Sequence, residues 1–133
     1  MPMQKTISSI SVITSAVCNL NCSFCYLHKN KSYHEFNKLV LKAWEDGSYI
    51  TNIVKTIKGL DGNPKDVSSI QIWGGETLLS IKTITPKVKD LYFYFPNLND
   101  WKMSTNFLVN INDLFNFLIE IENNAKKNTR ILL

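Results

Sequence analysis

No stretch of this 133-residue chain stays apolar over the length of a membrane span, and no apolar core follows the lone lysine, Lys5, near its N-terminus. The first absence argues against a transmembrane helix and the second against a secretory leader, so a cytoplasmic location is expected. Basic residues outnumber acidic ones, 15 against 11, but no block of like charge gathers the resulting +4. A dispersed excess of that size is a solvated surface and gives no ground for a nucleic-acid partner. Nothing in the composition suggests disorder: 44% hydrophobic and 20% charged residues fit one ordinary globular unit with a core. Cysteine is scarce too. There are three, with no second pair anywhere in the chain.

All three lie within eight residues, Cys18-Asn19-Leu20-Asn21-Cys22-Ser23-Phe24-Cys25. In a reducing compartment, thiols this close read as metal-binding or catalytic rather than as disulfides. An α-helix would align the sulfurs on one face but separate Cys18 and Cys25 by roughly 10 Å along its axis. That is too far for one compact centre, so the segment is expected to be a loop wrapped around its ligand. Asn19 and Asn21 suit such a loop, since both tolerate turn and left-handed backbone. A structural zinc site closes with four protein ligands. His28, or more weakly His34, would complete a Cys₃His set and a non-catalytic zinc module. An iron–sulfur cluster normally takes four cysteines. Three would leave one iron open to an exogenous ligand, which is a catalytic arrangement.

Around this loop, strand-like and helix-like stretches alternate. Ser8 to Thr14 reads as a strand, with Ile10 and Val12 on one face, leading into the cysteine loop. Phe36, Val40, Ala43 and Trp44 recur at helical spacing up to Gly47. A second helix, capped by Ser48, carries Ile50, Ile53, Val54 and Ile57 and ends near Gly59. Asp61-Gly62-Asn63-Pro64 is a turn. Ser69 to Trp73 is a strand followed at once by Gly74-Gly75-Glu76-Thr77. The glycine pair reads either as a tight turn or as a place where backbone approaches a ligand, with a carboxylate able to hold an ammonium group. Thr85-Pro86 reads as an N-cap and first helical residue, with Val88, Leu91, Tyr92 and Phe95 as the apolar face and the Tyr92-Phe93-Tyr94-Phe95 run as core packing. Trp101 to Met103 is a third strand, ending in Ser104-Thr105-Asn106, for which turn chemistry is the plain reading. Asn112-Asp113 caps a helix with Leu114, Phe115, Leu118, Ile119 and Glu122 on one face, and Thr129 to Leu133 begins a fourth strand.

Cys-x₃-Cys-x₂-Cys with an aromatic, Phe24, before the last cysteine resembles the cluster loop of the radical S-adenosylmethionine (SAM) enzymes. The resemblance implies a [4Fe–4S] cluster on Cys18, Cys22 and Cys25, with SAM chelating the open iron and being cleaved reductively to a 5′-deoxyadenosyl radical that abstracts hydrogen from a substrate. Gly74, Gly75 and Glu76 match the family's Gly-Gly-Glu-Pro segment, which binds the amino group of the SAM methionine, although Thr77 replaces the proline. Ser104-Thr105-Asn106 resembles the Thr-Asn-Gly segment near bound SAM, with Phe107 in place of the glycine; Ser104 and Asn106 are the candidates there. The order of the three elements resembles the sulfatase-maturating and peptide-modifying branch. That branch implies a peptide or protein substrate and a low-potential electron donor such as ferredoxin or flavodoxin.

Strand–helix alternation with long crossovers predicts a parallel α/β sheet, and such folds place ligands at the carboxyl ends of the strands. The three polar motifs follow strands one, two and three, so they would converge on one edge. The resemblance extends the fold to the N-terminal part of a partial (β/α)6 TIM-like barrel, with residues 1–133 supplying three βα units and the start of a fourth strand. An apolar strand at Leu133 would leave a sheet edge unpaired, so a longer protein is expected. A remnant that folds in part without activity is the other reading of that abrupt end.

Overall fold

The computed structural model describes residues 6–15, 32–74, 80–105 and 110–133. Among them are strands β1 (Ser9–Ser15), β2 (Ser69–Gly74), β3 (Asp100–Met103) and β4 (Arg130–Leu132). The helices are α1 (Ser32–Glu45), α2 (Ser48–Gly59), α3 (Ile81–Ile84), α4 (Val88–Tyr94) and α5 (Ile111–Asn124). The sheet runs β1-β2-β3-β4, every neighbouring pair parallel, so chain order and spatial order coincide.

Alternation decides which face is buried. Ile10 pairs with Ile70, Ile70 with Trp101 and Trp101 with Ile131, while Val12 pairs with Ile72 and Ile72 with Met103. These two rows are the floor of the core. The helices contact one another in a chain, α2 with α1, α1 with α3, α3 and α4 with α5, and bury that floor. The opposite face carries Ser9, Ser11, Ser69, Gln71, Trp73, Asp100, Lys102 and Arg130, all exposed or half-exposed. A parallel sheet whose helices lie on one side is singly wound. A doubly wound sheet reverses its strand order and takes helices on both sides.

The core is held by aromatic anchors whose polar ends are satisfied. Trp101, fully buried, donates Nε1–H to the Tyr92 hydroxyl at 3.0 Å and meets Phe117 edge to face at 5.6 Å. Trp44, also fully buried, stacks on Tyr49 with ring centroids 4.4 Å apart. Edge-to-face and offset-stacked pairs each contribute about 0.5–1.5 kcal/mol beyond burial.

Several helix details differ from the sequence expectation. Ser48 is the first residue of α2 rather than its cap: Gly47 takes the cap position at φ 80°, and the Asp46 carboxylate accepts the Ser48 N–H at 2.9 Å. Thr85-Pro86 does not start a helix. The turn begins at Ser80, Thr85 donates its hydroxyl to the Ile81 carbonyl at 2.7 Å, and a 3₁₀ turn at Thr85–Lys87 joins α3 to α4. Proline has no N–H for an α-helical bond, which tightens that turn. The buried face of α5 is Leu114, Phe117 and Ile121; Phe115 and Ile119 stand more than half exposed. Its cap is Asn110, whose side chain accepts the Asn112 N–H. Phe36 lies on the exposed side of α1, and Phe93 is exposed while Tyr92 and Phe95 are buried.

Candidate functional site

The carboxyl ends of β1, β2 and β3 stand side by side. Pairing between β1 and β2 is regular from Ser9 opposite Ser69 to Ile13 opposite Trp73, then skips a residue, so that Ser15 faces Gly74. The extra residue, Thr14, forms a β-bulge, a feature that re-aims the chain and is frequent beside active sites. Thr14 shares its face with Ile10 and Val12 and is fully buried, and its hydroxyl donates to the Trp73 carbonyl at 3.2 Å. The strand ends that precede residues 16–31 and the Gly75-Glu76 segment are thereby pinned together, about 5 Å apart as neighbouring strands require. On the other side, Met103 pairs with Ile72, so Ser104 and Thr105 leave β3 beside the last residues of β2.

A second brace holds β1 from its outer side. The Ser8 carbonyl accepts from Ser69 on β2, so in the alternating ladder the even-numbered residues of β1 direct their backbone groups to β2 and the odd-numbered ones outward. Ile13 is outward. Its N–H is donated to the Tyr49 hydroxyl at 2.8 Å, and its carbonyl accepts Trp44 Nε1–H at 2.9 Å. Burial raises the Tyr49 phenol above its ordinary pKa, and the Ile13 hydrogen bond only partly opposes this. Burial, not this contact, therefore keeps the phenol neutral.

Of the sequence candidates, Gly74 closes β2 and is half-buried, while Ser104 is exposed at the carboxyl end of β3. Cys18, Cys22, Phe24, Cys25, Gly75, Glu76 and Asn106 lie outside the described residues, as do His28, Thr77 and Phe107. His34 falls in the first turn of α1. Among the described residues no group of three His, Cys, Asp or Glu side chains could hold a metal ion. Among the same residues no helix is long and apolar enough to cross a membrane.

Sequence reasoning missed three residues that shape this edge. Thr14 was legible from its parity with Ile10 and Val12, which puts a hydroxyl on the buried face where it must find a partner. Trp44 is expected only as an apolar helix residue and Tyr49 is not singled out, although the N–H and O–H that such rings bring into a core need partners. Compared with known proteins, the chain matches no family model, no curated protein and no solved structure.

Proposed function

We propose that this chain carries the cluster- and SAM-binding edge of a radical SAM enzyme, and that its parallel sheet is part of a (β/α)6 TIM-like barrel. The observation that carries this reading is the register of the strand ends. The cysteine segment follows Ser15, the Gly-Gly-Glu sequence starts at Gly74, and Ser15 and Gly74 are paired neighbours. The third polar segment, from Ser104, leaves the adjacent strand at the same edge. Consecutive parallel order with helices on one face supports the barrel, whose inner wall would be the open face bearing Ser11, Gln71 and Lys102.

In this reading the thiolates of Cys18, Cys22 and Cys25 ligate a [4Fe–4S] cluster. Three soft sulfur donors suit iron–sulfur ligation, and the fourth iron is left for SAM. When bound, the cluster and SAM supply a carbon-centred radical that removes hydrogen from the substrate, for which a peptide or protein is proposed, with ferredoxin or flavodoxin as the class of electron donor. The chain's own residues bind and orient. Glu76 receives the methionine ammonium, and Gly74 and Gly75 allow close backbone approach. Phe24 offers an apolar surface beside the ligand, and Ser104 and Asn106 offer hydrogen-bonding groups. Thr14 keeps the two strand ends in register.

Iron and acid-labile sulfide content after anaerobic reconstitution tests the assignment. Cys22→Ala should lose the cluster, and Glu76→Ala should keep iron while weakening SAM binding. Stoichiometric zinc with no sulfide would favour a structural Cys₃His module and overturn the proposal.

A further inference from the structure

We infer that β1 receives an extended, uncharged peptide segment as an added strand on its outer edge, in the groove between β1 and α2. This goes beyond the proposed chemistry and stands without it. Before the bulge the outward-facing residues of β1 are Ser9, Ser11 and Ile13, and Ile13 is already occupied by Tyr49 and Trp44. Ser9 and Ser11 are exposed, and among the described residues neither their N–H nor their C=O groups face another strand, since β1 is the first in the sheet order. A row of unpaired main-chain donors and acceptors is a template for another strand.

What lies beside that row fixes the chemistry of the occupant. A groove of about 480 Å³ runs along the edge, walled by Ile7, Ile10 and Ser11 on one side and Tyr49, Ile53 and Ile57 on the other. No Lys, Arg, Asp or Glu lines it. A charged segment would gain nothing there and would be desolvated, so charge matching favours a neutral one. A strand seated on Ser9 and Ser11 would turn alternate side chains toward the helix layer, where the groove is largely apolar with Asn52 and Thr56 as its uncharged polar groups, and the rest toward the polar open face. The fitting sequence therefore alternates apolar and small polar residues. The Tyr49–Ile13 contact closes the edge at its carboxyl end, so pairing is confined to the Ser9 and Ser11 stretch of the segment.

The test uses the full chain and a fluorescein-labelled heptapeptide alternating valine with threonine, followed by anisotropy. Two further peptides carry N-methyl groups on every second amide, in the two possible phases, so that side chains are unchanged and only one edge of the ladder is blocked. Saturable binding that falls at least about tenfold with one N-methylated phase supports the inference, and the sensitive phase tells whether the added strand is parallel or antiparallel. In hydrogen exchange, the Ser9 and Ser11 amides should slow when peptide binds while Ile13, already bonded, does not change. On the protein side, Ser11→Pro removes an outward N–H at an edge position where proline is tolerated. It should abolish binding with the circular dichroism spectrum intact. No binding at millimolar peptide, equal binding of all three peptides, or exchange protection elsewhere would overturn the inference. So would a dimer in light scattering that Ser11→Pro dissociates, because a second copy would then hold the edge.

Discussion

Three tryptophans in three environments give a graded test of the packing. Trp44 and Trp101 are fully buried with their indole N–H groups bonded, and Trp73 is about half exposed on the open face. Trp44→Phe removes the hydrogen bond to the Ile13 carbonyl, about 1 kcal/mol. It leaves roughly 40 Å³ unfilled, about 1 kcal/mol at 24 cal/mol per Å³. It also weakens the stack on Tyr49 by about 0.5 kcal/mol. The total is about 2–3 kcal/mol. For 133 residues the unfolding entropy near the midpoint is about 0.28 kcal/mol/K, so Tm should fall by about 7–11 °C. Trp101→Phe, which removes one of the two side-chain partners of the buried Tyr92 hydroxyl, should cost a similar amount. Trp73→Phe should stay within about 0.5 kcal/mol. Urea and thermal unfolding followed by far-ultraviolet circular dichroism provide the comparison, since fluorescence would lose its own probe. Equal losses at all three positions, or a loss below about 0.5 kcal/mol at Trp44, would refute the brace and the packing that assigns it.

Other substitutions and pH probe separate parts of the fold. Phe117→Ala should cost about 3–5 kcal/mol, whereas Phe115→Ala, two residues away and half exposed, should cost less than about 1 kcal/mol in the same melts. Gly62→Ala would place a Cβ 2.9 Å from Ile57 and Ile7 side-chain carbons and 3.1 Å from the Ile57 carbonyl oxygen. A loss of about 1–3 kcal/mol is expected from the crowding, measurable as a shift in urea midpoint. Tyr49 and Tyr92 are both raised above the ordinary value of 10.0 by burial, so the folded chain holds these protons more tightly than the unfolded one. Stability should be full below pH 10 and fall as pH rises through the raised values, and Tyr49→Phe should flatten that fall. At the acid end, hydrogen bonds from Arg130 hold Asp100 below 3.8, so its contribution is present above that value and lost as pH falls through the lowered one. With Arg130 largely exposed, solvent screening keeps that contribution small.

The strands were legible because their pattern had one interpretation. Ile10 and Val12, Ile70 and Ile72, and Trp101 and Met103 alternate with polar neighbours, and period two leaves only one way to bury them. Parallel pairing followed from the length of the connections. Helix phase was less legible where the helix is apolar nearly all round. In α5 the positions from Ile111 to Ile121 offer two adjacent stripes, and the choice of Phe117 over Phe115 is made by Trp101, a residue far away in sequence. Helix ends were misread where two short-range devices compete. Ser48 and Thr85 both suit a cap by residue type, but Asp46 caps Ser48 from two residues upstream, and Thr85 bonds back to Ile81. At the candidate site, the placement of each motif after a strand was readable from order alone. The bulge at Thr14, which sets Ser15 against Gly74, was not, because a one-residue register shift has no signature in periodicity.

An iron–sulfur cluster with one iron reserved for SAM is proposed at the edge formed by β1, β2 and β3. The direct measurement is electron paramagnetic resonance of the anaerobically reconstituted, dithionite-reduced protein, recorded with and without SAM. A reduced-cluster signal that shifts on adding SAM, and is lost in Cys22→Ala, is the expected result. A protein that takes up zinc and forms no cluster, or a cluster whose signal ignores SAM, would contradict it.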